Sequence, residues 1–290
     1  FTLVSVNVNA LNGTNRFVKT LSNVGMLGNL SIISGEYRVS SPTYVAGNIN
    51  NNGVLTSTAP LNLATWSNNV GSASDNNQII SGSGTFRNSL TSSTASFINL
   101  TVNNINSSGI TLMMPLSVSG TLNMVTGIIN TTNSSVLTLG TSTSMGVFQG
   151  TPGPSTMISG PFARTISNLN SDNILFPVGK VNAMPVAIAP KTTSVSVFKI
   201  EAFNTNTGTI DASINSLANK RWEISKVSGT YSTIDVQLSK NSISANSIFL
   251  QAASSNGIYG SAFGSTATFY SGPPPSIQSD LPLFASNFTG

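Results

Sequence analysis

The sequence predicts an all-β chain in which a right-handed parallel β-helix is followed by an antiparallel β-sandwich. Charged residues make up only 7% of the 290 residues, against about 25% in typical soluble domains. Short hydrophobic pulses alternate inward and outward with period two, as half-buried strands do, and they recur about one solenoid coil apart. The sequence shows no helical periodicity of useful length.

The β-helix is predicted for residues 1–160. Its pulses are short and separated by Gly, Asn or Ser: LSII at 30–33, YRV at 37–39, LTV at 100–102, LSV at 116–118, TLNM at 121–124 and LTLG at 137–140. The pulses at 100, 122 and 137 lie roughly one coil apart, which predicts that they stack. An antiparallel sandwich of short strands is the competing interpretation.

The near absence of charge in this region has a physical reason in a solenoid. Between Arg38 and Arg164 the only charged residues are Asp75 and Arg87. A solenoid repeats each surface position in every coil, so like charges would stack at about 4.8 Å. Neutral Thr, Ser and Asn avoid that repulsion and can form ladders of hydrogen-bonded side chains.

The β-sandwich is predicted for residues 161–290, where strands lengthen and charges return. About seven strands are expected there, including 194–203, 220–228, 232–239, 247–254 and 265–272. Gly229 predicts a turn, and the Pro and Gly of GTPGPST at 150–156 predict a turn or cap that closes the last coil. Residues 211–222 are the one candidate for a short helical turn.

Several chemistries are not expected. The chain has no Cys and no His, which removes disulfides, thiolate and imidazole catalysis and the usual transition-metal ligands. In the predicted β-helix the acidic residues are Glu36 and Asp75, about two coils apart and too sparse for a glycosidase pair. We therefore predict no enzyme activity, no catalytic residue, no metal and no cofactor.

Two classes of partner are also not expected. The 12 basic residues are spread thinly, and no cluster of them would line a phosphate track, so nucleic-acid binding is not predicted. No stretch reaches 18 apolar residues, so no membrane span is predicted.

Aromatic residues are the candidates for ligand contact. Trp66, Tyr259 and Tyr270 are predicted platforms on which a sugar ring could stack. Trp222 alternates with Glu223 on one predicted strand, so we expect Trp222 to face the core.

The segments SGSGTFRNSLTSSTASFINLTVNN (81–104), GITLMMPLSVSGTLNMVTGIINTT (109–132) and VLTLG (136–140) resemble large secreted surface proteins of Bacteroidota, in which similar units build a parallel β-helix. ISGPFARTI (158–166), LFPVGK (175–180) and RWEIS (221–225) are similar to the passage from that helix into a sandwich module. The resemblance covers roughly residues 80–270. It implies type IX secretion and roles in adhesion, gliding or extracellular fibres, and it carries no catalytic residues.

The resemblance has two departures. The sequence has no recognisable C-terminal sorting domain after LPLFASNFTG and no signal peptide. The expectation is that both were removed, or that this is a segment of a longer chain.

The expected function is that of a non-enzymatic, secreted structural or adhesive protein of a bacterial cell surface. Self-association end to end into a filament is one expected use, because open solenoid edges pair unless they are capped. Cell-surface or glycan contacts are the other expected partners. The alternative is a carbohydrate-binding module of a secreted polysaccharide-processing protein, and a virus tail-fibre segment is a weaker option.

Overall fold

The structure is a computed structural model. It describes residues 2–3, 5–9, 17–41, 43–45, 48–52, 54–57, 61–63, 77–82, 85–87, 96–97, 99–104, 107–112, 115–168, 172–205, 209–210, 220–239, 258–259, 267–270, 276–279 and 283–284. Every regular element in these residues is a β-strand, and none of them is helical. The predicted all-β class is confirmed.

The chain divides into two compact units. Unit 1 comprises Phe1–Thr141 and Gly146–Thr151, and unit 2 comprises Ser142–Met145 and Pro152–Gly290. The boundary predicted from the sequence, between residues 160 and 161, stays a prediction.

The described strands of unit 1 are short and closely spaced. They are β1 Thr2–Leu3, β2 Val6–Asn9, β3 Phe17–Lys19, β4 Val24–Met26, β5 Leu30–Ser34, β6 Glu36–Val39, β7 Thr43–Val45, β8 Ile49–Asn51, β9 Val54–Ser57, β10 Leu61–Leu63, β11 Asn77–Gly82, β12 Thr85–Arg87, β13 Ser96–Phe97, β14 Asn99–Asn104, β15 Ile110–Thr111, β16 Leu116–Val118, β17 Thr121–Asn130, β18 Leu137–Leu139 and β19 Val147–Gln149.

Unit 1 is a parallel β-solenoid, as the sequence predicts. Strands β1, β4, β7 and β10 form one parallel sheet, and β3, β6, β9 and β12 form a second. A third parallel sheet contains β2, β5, β8, β11, β14 and β17. Up to β12 the chain visits each of the three sheets once before returning to the first. Strands β13, β16 and β18 continue the pattern with a further parallel set.

The core of the solenoid is a stack of apolar columns. One register column of the third sheet runs through Val6, Leu30, Ile49, Ile80, Val102 and Met124. Leu30, Ile49, Val102 and Met124 are buried. The residues between them on each strand point the opposite way, which is why these strands alternate apolar with Ser, Thr or Asn.

The prediction that the pulses at 100, 122 and 137 stack on one another is confirmed for the first two and wrong for the third. Leu100 pairs with Leu122, but Leu137 pairs with Leu116 in a different sheet. Leu116 and Leu137 are as far apart in sequence as one coil, just as Leu100 and Leu122 are. Sequence spacing alone therefore gives the coil length but not the face on which a pulse lies.

Polar side chains at the coil corners hydrogen-bond to backbone amides of the next coil. Asn29 Oδ1 accepts a hydrogen bond from the Asn48 amide at 2.8 Å, and the Asn29 amide donates to Ser5 Oγ at 3.1 Å. Asn99 Oδ1 accepts from the Thr121 amide at 2.7 Å. These contacts satisfy backbone groups between strands, so these Asn and Ser side chains help to hold neighbouring coils together.

Unit 2 has longer strands. They are β20 Thr156–Ser159, β21 Phe162–Ile166, β22 Ile174–Phe176, β23 Val178–Gly179, β24 Val186–Thr192, β25 Ser196–Phe203, β26 Thr209–Ile210, β27 Arg221–Ser228, β28 Tyr231–Ser239, β29 Ile258–Tyr259, β30 Ala267–Tyr270, β31 Ser276–Ser279 and β32 Leu283–Phe284.

The longest strands of unit 2 pair antiparallel. Strands β21, β25 and β27 form one set, and β22, β24, β28, β31 and β30 form another, with β32 also on β28. The shorter strands β20 and β23 pair parallel, as do β26 and β29. The predicted strands at 194–203, 220–228, 232–239 and 265–272 correspond to β25, β27, β28 and β30. Residues 247–254 and 211–219 lie outside the described residues.

Two turns predicted from Gly and Pro are confirmed. Gly229 has a φ of 81° and joins β27 to β28, which lie in different sheets. In the stretch after residue 150, the Gly153 and Thr156 amides donate to each other's carbonyl oxygens at 3.0 and 2.9 Å, closing a tight turn.

Aromatic side chains join the two antiparallel sets. The rings of Phe162 and Phe176 meet edge to face with centroids 5.9 Å apart, and those of Phe198 and Tyr231 do so at 5.2 Å. Trp222 Nε1 donates to the Met184 carbonyl at 2.7 Å, and its register partner Ala202 is buried. Trp222 is half-buried and lies on the same side of the sheet as Ala202, so the predicted core position is met in part.

Candidate functional site

Of the three predicted sugar platforms, the structure describes the strands of two. Trp66 lies outside the described residues. Tyr259 ends β29, which pairs with β26, and Tyr270 ends β30, which pairs with β31, so the two tyrosines lie in different sheets. For both, the structure describes the strand and its pairing only, and their role in ligand contact stays a prediction.

Two glutamate residues of unit 2 are neighbours on adjacent strands. Glu201 on β25 is the register partner of Glu223 on β27. Lys180 Nζ lies 2.8 Å from Glu201 Oε1, and one Arg221 terminal nitrogen lies 3.1 Å from Glu223 Oε1. Each carboxylate thus has its own cation, an arrangement that offsets their mutual repulsion.

Of the two acidic residues of the predicted β-helix, the structure describes Glu36 alone. Glu36 makes an ion pair with Arg38, with 2.8 Å between oxygen and nitrogen, and Asp75 lies outside the described residues. The described residues hold no group of three or more side chains suited to a metal ion.

Arg164 is a buried cation in unit 2, and its contacts are those of a residue that stabilises the fold. Arg164 lies on the inward side of β21, and one of its terminal nitrogens donates to the Leu175 carbonyl at 2.8 Å. Burial lowers the pKa of Arg164 to about 10. It ties β21 to β22 from within the core, where a solvent-borne ligand does not reach.

In the described part of the chain, the first three strands stand at the ends of three sheets. Strands β1, β2 and β3 are terminal strands of their sheets, and each pairs with one neighbour among the described strands. Such an edge leaves backbone donors and acceptors ready to pair with a further strand. All three edges belong to one coil and hence to one end of the parallel stack.

Apolar side chains are exposed on and beside this coil. Val18 is 45% exposed, although the residues below it in the same register column, Tyr37 and Leu55, are buried. Phe17 is 41% and Leu21 is 85% exposed. Among the described residues, Val18 is therefore the first member of this core column, and it is exposed. We call β1–β3 together with Leu21 the first-coil edge.

Three basic residues share one register position of the second sheet. The register aligns Lys19 with Arg38, Arg38 with Thr56, and Thr56 with Arg87. We call Lys19, Arg38 and Arg87 the cation column. Lys19 and Arg38 depart from the rule that like charges avoid stacking. They lie on adjacent strands, and two unit charges about 5 Å apart in water repel by about 1 kcal/mol.

The Arg38 guanidinium contacts two neighbouring side chains that hold it in place. It lies 3.7 Å from the centre of the Phe17 ring, and it pairs with Glu36. The hydrogen bond that Arg38 donates to the Glu36 carboxylate raises the pKa of Arg38. Lys19 is exposed, and within the described part of the chain it has no ion pair.

Sequence reasoning missed this column because its members are far apart in the chain. The available signal was local: Arg38 and Arg87 each follow an aromatic residue, in YR and FR, and Lys19 ends the pulse FVK. In a period-two strand the neighbour of an inward residue faces outward. Which coils align them depends on coil lengths that the sequence does not state.

A buried tyrosine below the first-coil edge gives a prediction for alkaline pH. Burial raises the pKa of Tyr37 from 10.0 to about 12. A raised folded-state pKa gives stability that is complete below pH 10 and is lost as the pH rises toward 12, at up to about 1.4 kcal/mol per pH unit. We expect Tyr37→Phe to reduce the slope of stability against pH in that window. Urea unfolding at stepped pH measures it, and equal slopes for both proteins would contradict the burial argument.

No helix in the described residues is long and apolar enough to cross a membrane. Comparison of the chain with family models, with curated proteins and with solved structures gives no match.

Proposed function

We propose that this chain is a non-enzymatic structural and adhesive protein, secreted to a bacterial cell surface, that assembles end to end into filaments. In this proposal the solenoid is right-handed and acts as a stiff spacer, and unit 2 is an antiparallel β-sandwich. The sequence resemblance to secreted surface proteins of Bacteroidota supports the location and type IX export.

The first-coil edge carries the proposal of self-assembly. It combines three strands that each pair with one neighbour among the described strands and an apolar column whose first described member, Val18, is exposed. Backbone pairing supplies the affinity of an added strand, and side-chain pockets supply its specificity. The occupant we propose is a second copy of this chain that offers a different surface of its own, because such a contact repeats and gives filaments where it does not close into a ring.

The low charge of the solenoid supports the same proposal. Net charge far from zero keeps proteins apart, whereas this chain carries +4 over 290 residues, so little long-range repulsion opposes association. Edge strands that remain monomeric are commonly protected by inward-pointing charges or Pro. The described part of the first-coil edge has a single charge, Lys19, at the last residue of β3.

A charge at the end of the core column is expected to abolish association. Val18→Lys places an ammonium where a second copy would pack, while its 45% exposure keeps the fold tolerant of the change. We expect the wild type to sediment as species that grow with concentration and Val18→Lys to remain monomeric. Sedimentation velocity over a concentration series measures both.

The matched control is Val181→Lys. Val181 is 77% exposed and lies in unit 2, so the same substitution changes net charge equally without touching the first-coil edge. The control should associate like the wild type. Association of Val18→Lys at wild-type strength, or a wild type that stays monomeric at high concentration, would reject the proposal.

A further inference from the structure

We propose that the first-coil edge of one copy pairs with strand β27 in unit 2 of the next copy. The inference rests on the proposed assembly into filaments, and it names the surface that receives the first-coil edge. The contact joins β3 of one copy to residues 221–225 of the other. Because these two surfaces differ, the contact can repeat from copy to copy along a filament.

Strand β27 is the last strand of its sheet in the described part of the chain. It pairs antiparallel with β25 and with no other described strand, so the backbone groups on its other side can pair with an added strand. None of its eight residues is buried, whereas every second residue of β25 is buried. The whole of β27 therefore keeps contact with solvent.

Two apolar side chains of β27 lie on the core side of the sheet but are incompletely covered. Trp222 is the register partner of Ala202, and Ile224 is that of Ile200. Both partners are buried, whereas Trp222 and Ile224 are half-buried. Covering this remaining apolar surface favours an added strand that places an apolar side chain on the same face. Val18, which is 45% exposed on β3, is a side chain of that kind.

The C-terminal end of β27 has two features that hinder strand addition. Its register with β25 shifts between Val197 and Phe198, which leaves Val227 as the extra residue of a bulge. The preceding Lys226 is exposed. Bulges and lysines both protect edge strands from further pairing. Residues 221–225 are the remaining stretch, and they are long enough to pair with the three residues of β3.

Charge complementarity selects one register for this pairing. Lys19 is exposed at the end of β3, and the side chain of Glu223 is 44% exposed. One oxygen of Glu223 contacts an arginine of its own strand, and a carboxylate can accept further hydrogen bonds. With Lys19 opposite Glu223, an antiparallel pair places Val18 beside Ile224. A parallel pair places Val18 beside Trp222, so in either direction apolar residues share one face and opposite charges share the other.

Disulfide formation between copies tests the contact, because the chain contains no Cys. Lys19→Cys and Glu223→Cys are made in separate full-length chains, mixed in equal amounts and oxidised under conditions of assembly. Opposite residues of paired strands have Cα atoms about 4.5–5.5 Å apart, a distance that a disulfide spans. We expect a covalent dimer in the mixture and little dimer in either variant alone.

The matched control is a mixture of Lys19→Cys with Val181→Cys. Val181 is 77% exposed and also lies in unit 2, so its thiol is at least as accessible as one at position 223. This mixture should give little dimer. Equal cross-linking in the control, or no dimer between positions 19 and 223, overturns the inference.

A charge exchange tests the same pair of residues without cysteines. Lys19→Glu places two carboxylates opposite each other, so it should raise the concentration at which assembly begins by about fivefold. Adding Glu223→Lys to the same chain should restore assembly, because the opposite charges then face each other again. Light scattering over a concentration series measures both variants. A double variant that assembles no better than Lys19→Glu would reject the pairing.

The inference and the proposed function fail in distinguishable ways. If the wild type forms filaments but positions 19 and 223 do not cross-link, only the inference fails, and the first-coil edge pairs with another surface. If the wild type stays monomeric at every concentration, the proposed assembly fails and the inference fails with it.

Discussion

Replacing Leu122 with alanine is expected to lower the free energy of unfolding of unit 1 by about 2–5 kcal/mol. Leu122 is fully buried on β17 and stacks between Leu100 on β14 and Phe148 on β19. The substitution removes apolar contacts on two coils and leaves a cavity that paired backbones cannot easily close. Because a solenoid is held by contacts between neighbouring coils, the loss should be local and large.

The matched control is the next residue on the same strand. Asn123 points outward and pairs in register with Thr101 and Gln149, so Asn123→Ala should change stability by about 0.5 kcal/mol or less. Urea unfolding gives the stability, and amide hydrogen exchange of peptides that cover β14 and β17 shows where protection is lost. Similar effects of both substitutions would contradict the inward and outward assignment of β17.

The Gly229→Ala substitution is expected to destabilise unit 2 by about 3 kcal/mol or more. Gly229 has a φ of 81°, a conformation that costs a residue with a side chain. An added Cβ would lie 2.5 Å from Ser196 Cα and would also clash with the Val195 carbonyl oxygen and Ser196 Oγ. The backbone of Val195 and Ser196 cannot move aside easily, because Ser196 is the first residue of strand β25.

Hydrogen bonds at the same corner make it rigid. Ser196 Oγ donates to the Thr230 carbonyl at 3.1 Å, and the Thr230 amide donates to Ser194 Oγ at 2.9 Å. Ser228→Ala is the control, since Ser228 is exposed at the end of β27. Thermal unfolding of both variants measures the difference, and a Gly229→Ala protein as stable as the control would refute this account of the corner.

Much of the fold follows from local pattern in the sequence. Strands β5, β14 and β17 alternate apolar and polar residues with period two, and that alternation depends only on which side chains face the core. The recurrence of such pulses at coil length then indicates a parallel stack. The Gly turn at Gly229 was equally readable, because few other residues adopt a positive φ.

The arrangement of coils could not be read from the sequence. Leu30 pairs with Ile49 and Ile49 with Ile80, so successive coils differ in length because their loops differ. Because the spacing varies, it does not show which residues share a column. For this reason the sequence predicts the wrong face for Leu137. Because coil lengths vary, the sequence also does not show that Lys19 aligns with Arg38.

The candidate sites were therefore less predictable than the fold. A platform formed by one aromatic residue can be proposed from sequence, as Trp66, Tyr259 and Tyr270 were. A surface such as the first-coil edge or the cation column exists only when strands distant in the chain are brought into register. Both depend on the parallel pairing of β3 with β6, which no single segment encodes.

Electron microscopy of the purified wild-type chain over a concentration series tests the central claim most directly. We expect filaments that lengthen with concentration and have an axial repeat of one subunit, with strands spaced about 4.8 Å along the solenoid stack. Isolated particles at every concentration would contradict it, because a first-coil edge that pairs with a second copy must produce assemblies.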